Sequence, residues 1–272
     1  MASPIETLAE GFQFTEGPVC LPDGALVFSD IPADRIYRGD KTVFREPSGR
    51  SYGLTLDREG RLIAAEHGNR RVSRTEADGT IMAVAEKFEG KRLNSPNDVV
   101  VRSDGAIFFT DPAYGLEGGL KGPHSELGYC GVYAVSPNGD VRLLVKDFNS
   151  PNGLAFSPDE KILYVGDSEA GHVRAFDVAA DGSLTNSRIL YTVATPDGLK
   201  VDVQGNLWVT AEDGIHVVSP GGKLEEVLKF PTQPANCAFG GADGKTLFVT
   251  GRDKVYKVAV SVAGIYPASP HK

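Results

Sequence analysis

The sequence predicts an all-β fold, a six-bladed β-propeller of four-stranded antiparallel blades, and three observations carry that prediction. A turn site recurs eight residues after an equivalent position, at Glu16 to Gly24, Tyr52 to Gly60, Asn97 to Gly105, Asn152 to Glu160, Asp197 to Gly205 and Asn236 to Gly244. Each turn is followed by a short run that is apolar on both sides of the pleat, the pattern of a strand covered on both faces. No segment of helical period and useful length interrupts the six units. Repeats of about 45 residues that each supply one sheet stack around an axis. A two-sheet sandwich gives no reason for an offset that never varies.

Each unit opens with the residue that starts the offset and a short inner strand, which turns at Asp-Gly or its substitute. The returning second strands fall at 25–28, 61–64, 106–109, 162–165, 206–209 and 246–249. Third strands with an alternating pattern are expected at 35–37, 71–74, 131–135, 173–176, 215–218 and 255–258. Fourth strands follow at 41–44, 81–84, 141–145, 188–191 and 224–228, and the sixth unit lacks one. Residues 5–8 precede Glu16 by the stretch that separates the other fourth strands from the next unit. The N-terminal strand is therefore expected to close the last blade, giving one domain over 1–260 and a Pro-containing tail over 261–272.

The 272 residues carry a net charge of −8, which argues against a nucleic-acid groove, since phosphate binding needs clustered Lys and Arg. No stretch approaches the ~20 apolar residues of a membrane span, and no basic segment followed by an apolar run opens the chain. Cys20, Cys130 and Cys237 are widely spaced in apolar, strand-like contexts. They read as buried reduced thiols and favour a cytoplasmic protein. Oligomeric state leaves no trace in the sequence.

Equivalent positions of a repeat occupy equivalent points in space, so the six residues that begin each offset should form a ring at one channel mouth. Four of them, Glu16, Asn97, Asn152 and Asp197, are oxygen donors. Two buried carboxylates near an apolar axis cannot both stay ionised without a cation. Oxygen donors without His or Cys favour Ca²⁺, with Mg²⁺, Mn²⁺ or Zn²⁺ as alternatives. The second strands return to the same mouth, so Asp30, Glu66, Asp111, Asp167 and Glu212 are expected to form an outer shell of oxygen there. The long connection between Asp111 and Gly131 begins at that mouth, and loops of that length are usually functional. Asp111, Tyr114 and Glu117 from it, with His67 and His124, are candidate substrate contacts.

The segments Glu16-Gly-Pro18, Ser95-Pro-Asn-Asp98, Ser150-Pro-Asn-Gly-Leu154 and Thr195-Pro-Asp-Gly-Leu199 together resemble the gluconolactonase, regucalcin and luciferin-regenerating enzyme family. Glu66-His-Gly-Asn-Arg-Arg71 and Phe109-Thr-Asp-Pro-Ala-Tyr-Gly115 are similar to its microbial gluconolactonase branch. The resemblance runs from Glu10 to Val258. It implies Glu16, Asn152 and Asp197 as metal ligands, Asn97 as a fourth ligand or a substrate contact, Arg92 as a substrate contact, and an acid/base role for Asp197. The implied activity is metal-dependent opening of a small sugar lactone such as glucono-1,5-lactone to the aldonic acid, with Asp197 or a hydroxide on the ion as base. Other lactones, phosphotriesters, or a calcium-binding propeller without catalysis are the alternatives. A serine nucleophile is disfavoured, because there is no Gly-x-Ser-x-Gly segment.

Overall fold

The computed structural model describes residues 4–265. Six four-stranded antiparallel sheets, five of them with strands in chain order, form a six-bladed β-propeller. The inner strands are Thr15–Cys20, Ser51–Leu56, Val99–Val101, Pro151–Phe156, Leu199–Val201 and Asn236–Gly240. The sixth sheet is completed from the other end of the chain, by Glu6–Glu10 pairing antiparallel with Lys254–Ala259. Predicted and observed closure agree.

The apolar second strands are buried on both faces because blades stack like wedges. In Leu62–Glu66, Leu62 and Ala64 join a cluster with Val19, Val27 and Ile36 of the first blade. Ile63 and Ala65 join Val99, Ile107 and Phe109 of the third. Phe108 faces onward to Leu154, Leu163 and Val165 of the fourth. Each apolar cluster thus draws on two adjacent blades, and Cys20, Leu26 and Phe28 with Val255 seal the last seam. A strand of period two with both faces apolar is what this arrangement demands.

The constant offset also has a structural cause. Gly24, Gly60, Gly105, Gly205 and Gly244 lie at φ between 71° and 88°, and Glu160, the one substitute, at 55°. The turn needs a left-handed residue, which glycine supplies without a steric cost. Neighbouring aspartates brace it: Asp57 Oδ1 accepts from Glu59 N and Arg61 N at 3.0 and 2.9 Å, and Asp202 Oδ1 from Gln204 N and Asn206 N at 2.9 Å each.

Some details depart from the sequence reading. The fourth strand of the fourth blade is longer, Leu184–Thr192. A small hairpin, Lys87–Phe88 with Lys91–Arg92, was not anticipated. Within the expected tail, Val203 N donates to Ala263 O at 3.0 Å and Ile265 N to Val201 O at 3.1 Å, so 263–265 lie against the fifth blade. The remainder of that tail, 266–272, falls outside the described residues. No helix among the described residues is long and apolar enough to cross a membrane.

Candidate active site

Glu16, Asn97, Asn152 and Asp197 all line one cavity of about 240 Å³, together with Phe14, Tyr52, Tyr114, Ser168, Thr195 and Gln233. Their backbones are held by neighbouring strands. Asn97 N donates to Thr110 O and Asp197 N to Thr210 O, each at 2.9 Å. Gly53 N reaches sideways to Asn97 O at 2.8 Å, and Gly153 N to Asp197 O at 3.0 Å. Thr110 Oγ1 adds a bond to Asn152 O at 2.7 Å. Asn97, Asn152 and Asp197 are each thus tied to the preceding blade.

Of the two remaining ring positions, Tyr52 lines the cavity and Asn236 orients Glu16. Asn236 Nδ2 donates to Glu16 Oε2 at 3.0 Å, and Gly17 N donates to the same oxygen. Its Oδ1 accepts from Cys237 N at 2.8 Å and Lys200 Nζ at 3.3 Å. Asn152 gives an amide hydrogen to Ser168 Oγ at 3.0 Å and hydrogen bonds Asp197. Both uses engage its NH₂ end and leave the amide oxygen as the acceptor.

Electrostatically the two acids are in conflict. Burial, then the charges of Asp197 and Asp98, hold Glu16 well above the usual carboxylate range. Burial and the Asp98 charge push Asp197 up to about 7. Lys200 and Arg252 act in the opposite direction, on Asp98 and Asp197 respectively. Among the described residues, no three His, Cys, Asp or Glu side chains gather in a metal-holding group. The donor set is instead two carboxylates and two amides, whose hard oxygens and unrelieved negative charge fit a divalent cation.

A pH test follows. Glu16 and Asp197 have raised folded-state values, so in metal-free protein their contribution to stability is full below the unfolded carboxylate value and is lost as pH rises, for Asp197 through about 7. A cation replaces the missing protons. The Tm gain on adding Ca²⁺ to metal-stripped protein is expected to be larger at pH 8 than at pH 5. A gain that is equal or larger at pH 5 would remove these carboxylates from the cation site.

The outer shell of acids is not a shell around the mouth. Asp30 accepts from Gln13 N and Phe14 N at 3.1 and 3.0 Å, Asp111 from Asn94 N and Ser95 N at 2.8 Å each, and Asp167 from Asn149 N and Ser150 N at 2.8 and 3.0 Å. In each case the donors stand three and two residues ahead of the ring residue. These carboxylates fasten the backbone entering the inner strand, which would otherwise carry unpaired N–H groups. Glu66 is buried among Arg45, Asn69, Arg71 and Ser73, and Glu212 is exposed. Asp111 therefore supports the site from behind and does not line it, contrary to the substrate contact expected of it.

The other expected substrate contacts separate by position. Tyr114 lines the cavity of the four oxygen donors and also a second one of about 450 Å³, which holds His67, Arg92, Glu117 and His124. Tyr52 is shared too, its ring stacked on His67 with centroids 3.5 Å apart. Burial drives the His67 imidazole down to about 3, so it is neutral. Phe14, Ser168, Gln233 and Arg50 also line these spaces and were not singled out in the sequence, while Arg70 and Thr195, which line them too, stood only inside the quoted family segments. Thr195 and Ser168 had a signal, since one precedes Pro196-Asp197 and the other follows the fastening Asp167. Thr195 also stands at φ 47°, a strained setting for a β-branched residue.

Comparison with known proteins gives a consistent placement. The SMP-30/Gluconolactonase/LRE-like region family matches residues 14–252. The gluconolactonase of Zymomonas mobilis subsp. mobilis is 33% identical over 297 residues, covering 97% of this chain and 83% of that protein. The regucalcin of Oryctolagus cuniculus is 29% identical, over 84% of this chain and 79% of its own. A solved gluconolactonase structure from Xanthomonas campestris superposes with a TM-score of 0.86 at 34% identity, covering 94% of this chain and 89% of that one. The chain belongs to the SMP-30/gluconolactonase/LRE-like family.

Proposed function

We propose that this lactone hydrolase opens sugar lactones of the glucono-1,5-lactone kind to aldonic acids, using a divalent cation, Ca²⁺ first, held by Glu16, Asn97, Asn152 and Asp197. The observation that supports it most is the meeting of two charge-starved carboxylates and two amides in one open cavity. When bound, the cation would stabilise the negative charge that the lactone carbonyl oxygen gains under attack. Asp197 accepts the proton of the attacking water and returns it to the ring oxygen as the carbon–oxygen bond breaks. Beside a bound cation, Asp197 keeps the ionised form that a base requires. Tyr52 and Tyr114 flank the cavity and offer rings and hydroxyls to the sugar.

The thiols play no part. Cys20, Cys130 and Cys237 are buried and form no disulfide among the described residues, and burial pushes Cys130 up to about 11 and Cys237 up to about 12. Thiols without disulfides suit a reducing compartment, and the cytoplasm is our assignment. Named gluconolactonases that align over nearly the whole chain add support for the substrate class.

The test is acid release in a pH-stat from D-glucono-1,5-lactone by metal-stripped protein, followed by restoration of Ca²⁺, Mg²⁺, Mn²⁺ or Zn²⁺. Acid release above the spontaneous rate is expected only with metal, and the most effective ion names the native candidate. A flat trace with every ion would reject glucono-1,5-lactone as substrate and turn the search to other lactones, phosphotriesters or a binding role.

A further inference from the structure

The cavity beyond Tyr52 and Tyr114 is cationic, against the trend of a chain whose net charge is −8. Arg50, Arg70 and Arg92 line it with His67 and His124, and Glu117 is the one carboxylate among its lining residues. The arginines come from three separate segments, so no basic run in the sequence announces them.

Their bonding leaves donor capacity unused. Arg70 is only 9% exposed, and its Nε donates to Leu93 O and Asn94 O at 2.7 and 3.1 Å. Its Nη1 lies 3.6 Å from Glu126 Oε1, while Nη2 is buried with no partner. Arg92 gives Nη2 to Asn69 O at 3.0 Å, and its backbone N to Glu126 Oε2 at 2.8 Å. Glu126 thus offsets part of the charge of these two arginines. The backbone of Arg50 is fixed by Asp34 Oδ1 at 2.6 Å, and its guanidinium has no hydrogen bond or ion pair among the described residues. His67 Nε2 is likewise buried without a partner. Buried polar atoms are nearly always satisfied in native proteins, and the exceptions call for an explanation. Two of them belong to residues that line this one cavity, and with the unpaired Arg50 guanidinium and the Arg92 side chain they leave a cationic space whose charge the protein does not fully answer.

Resting on the lactone-hydrolase reading of the adjoining site, we propose that this cavity receives an anionic substituent of the substrate, a carboxylate or phosphate borne at the end remote from the reacting carbonyl. The preferred substrate is then an acidic sugar lactone. Its carbonyl lies over Glu16 and Asp197, its ring passes between Tyr52 and Tyr114, and its anion meets the guanidinium groups, whose planar forks match carboxylate and phosphate oxygens.

Two matched pairs test this in Ca²⁺-loaded protein: D-glucono-1,5-lactone against its 6-phosphate, and D-glucono-1,4-lactone against D-glucaro-1,4-lactone. The anionic member of at least one pair is expected to be favoured in kcat/KM by about ten- to a hundredfold, the range of charge-assisted hydrogen bonds. The preference should shrink in Arg50→Gln and Arg92→Gln and with added salt, and the pair that shows it distinguishes phosphate from carboxylate. No preference in either pair overturns the proposal. Calorimetric binding of 6-phospho-D-gluconate and D-glucarate against D-gluconate needs no turnover. Tighter binding of an added anion without hydrolysis of any lactone would sink the lactonase reading and keep the anion site. Equal binding of all three, with neutral lactones hydrolysed, would do the reverse.

Discussion

Asp197→Asn is expected to lower kcat for lactone opening by about 10²–10⁴-fold, the usual contribution of a positioned general base. The amide keeps the size of the side chain and an oxygen for the cation, but it cannot hold the proton of water. Because one negative charge is lost, cation binding also weakens, so metal content has to be measured beside the rate. With the ion retained at saturating metal, activity within a few-fold of wild type would reduce Asp197 to a ligand. The same substitution carries an opposite expectation for stability. Asp197 opposes the ionisation of Glu16 through like-charge repulsion, and its own charge is buried, so the metal-free variant should melt higher than the metal-free wild type at pH 8.

Gly153→Ala is expected to cost more than about 4 kcal/mol of stability, or to abolish soluble folded protein, because it places a methyl where a neighbouring main chain already runs. An added Cβ would lie 2.2 Å from Asp197 O, 2.6 Å from Leu199 N and 2.9 Å from Gly198 C. None of these atoms belongs to a side chain that can swing aside. Gly221 is a matched control, since its nearest neighbour would be Ser219 Oγ at 4.0 Å, and Gly221→Ala should change stability by about 0.5 kcal/mol or less. Urea unfolding of both variants is the measurement. A midpoint for Gly153→Ala equal to wild type would mean that the inner strands can spread, and the close ring described above would be wrong. Similar crowding holds at Gly17, Gly53 and Gly198, the positions that follow ring residues Glu16, Tyr52 and Asp197.

These glycines show how far the sequence could be read. The offset from ring residue to turn, the two-faced apolar strands and the missing sixth outer strand are local patterns, and local patterns define a repeat. The four oxygen donors were legible for the same reason, because a repeat converts a register in sequence into a ring in space. The acids at the ends of the second strands carried the same kind of signal yet do something else. Asp30, Asp111 and Asp167 share residue type, strand position and mouth with a liganding shell. Whether such a carboxylate turns to the cavity or to the backbone behind it depends on which N–H groups the entering loop leaves unmet, and residue identity does not record that. Arg50 and Gln233 were invisible for a different reason. They have no repeat partners, and only the packing of separate loops brings them to the cavities.

The seam of the sixth blade joins an early part of the chain to a much later one. Earlier blades have all their strands as soon as they are synthesised, whereas Glu6–Glu10 stays without its partner until Lys254–Ala259 emerges. Glu16 must wait too, since Asn236, which orients it, belongs to the same late unit. A nascent chain of five blades therefore has an open edge and an incomplete ring of oxygen donors, the state most exposed to mispairing with another chain.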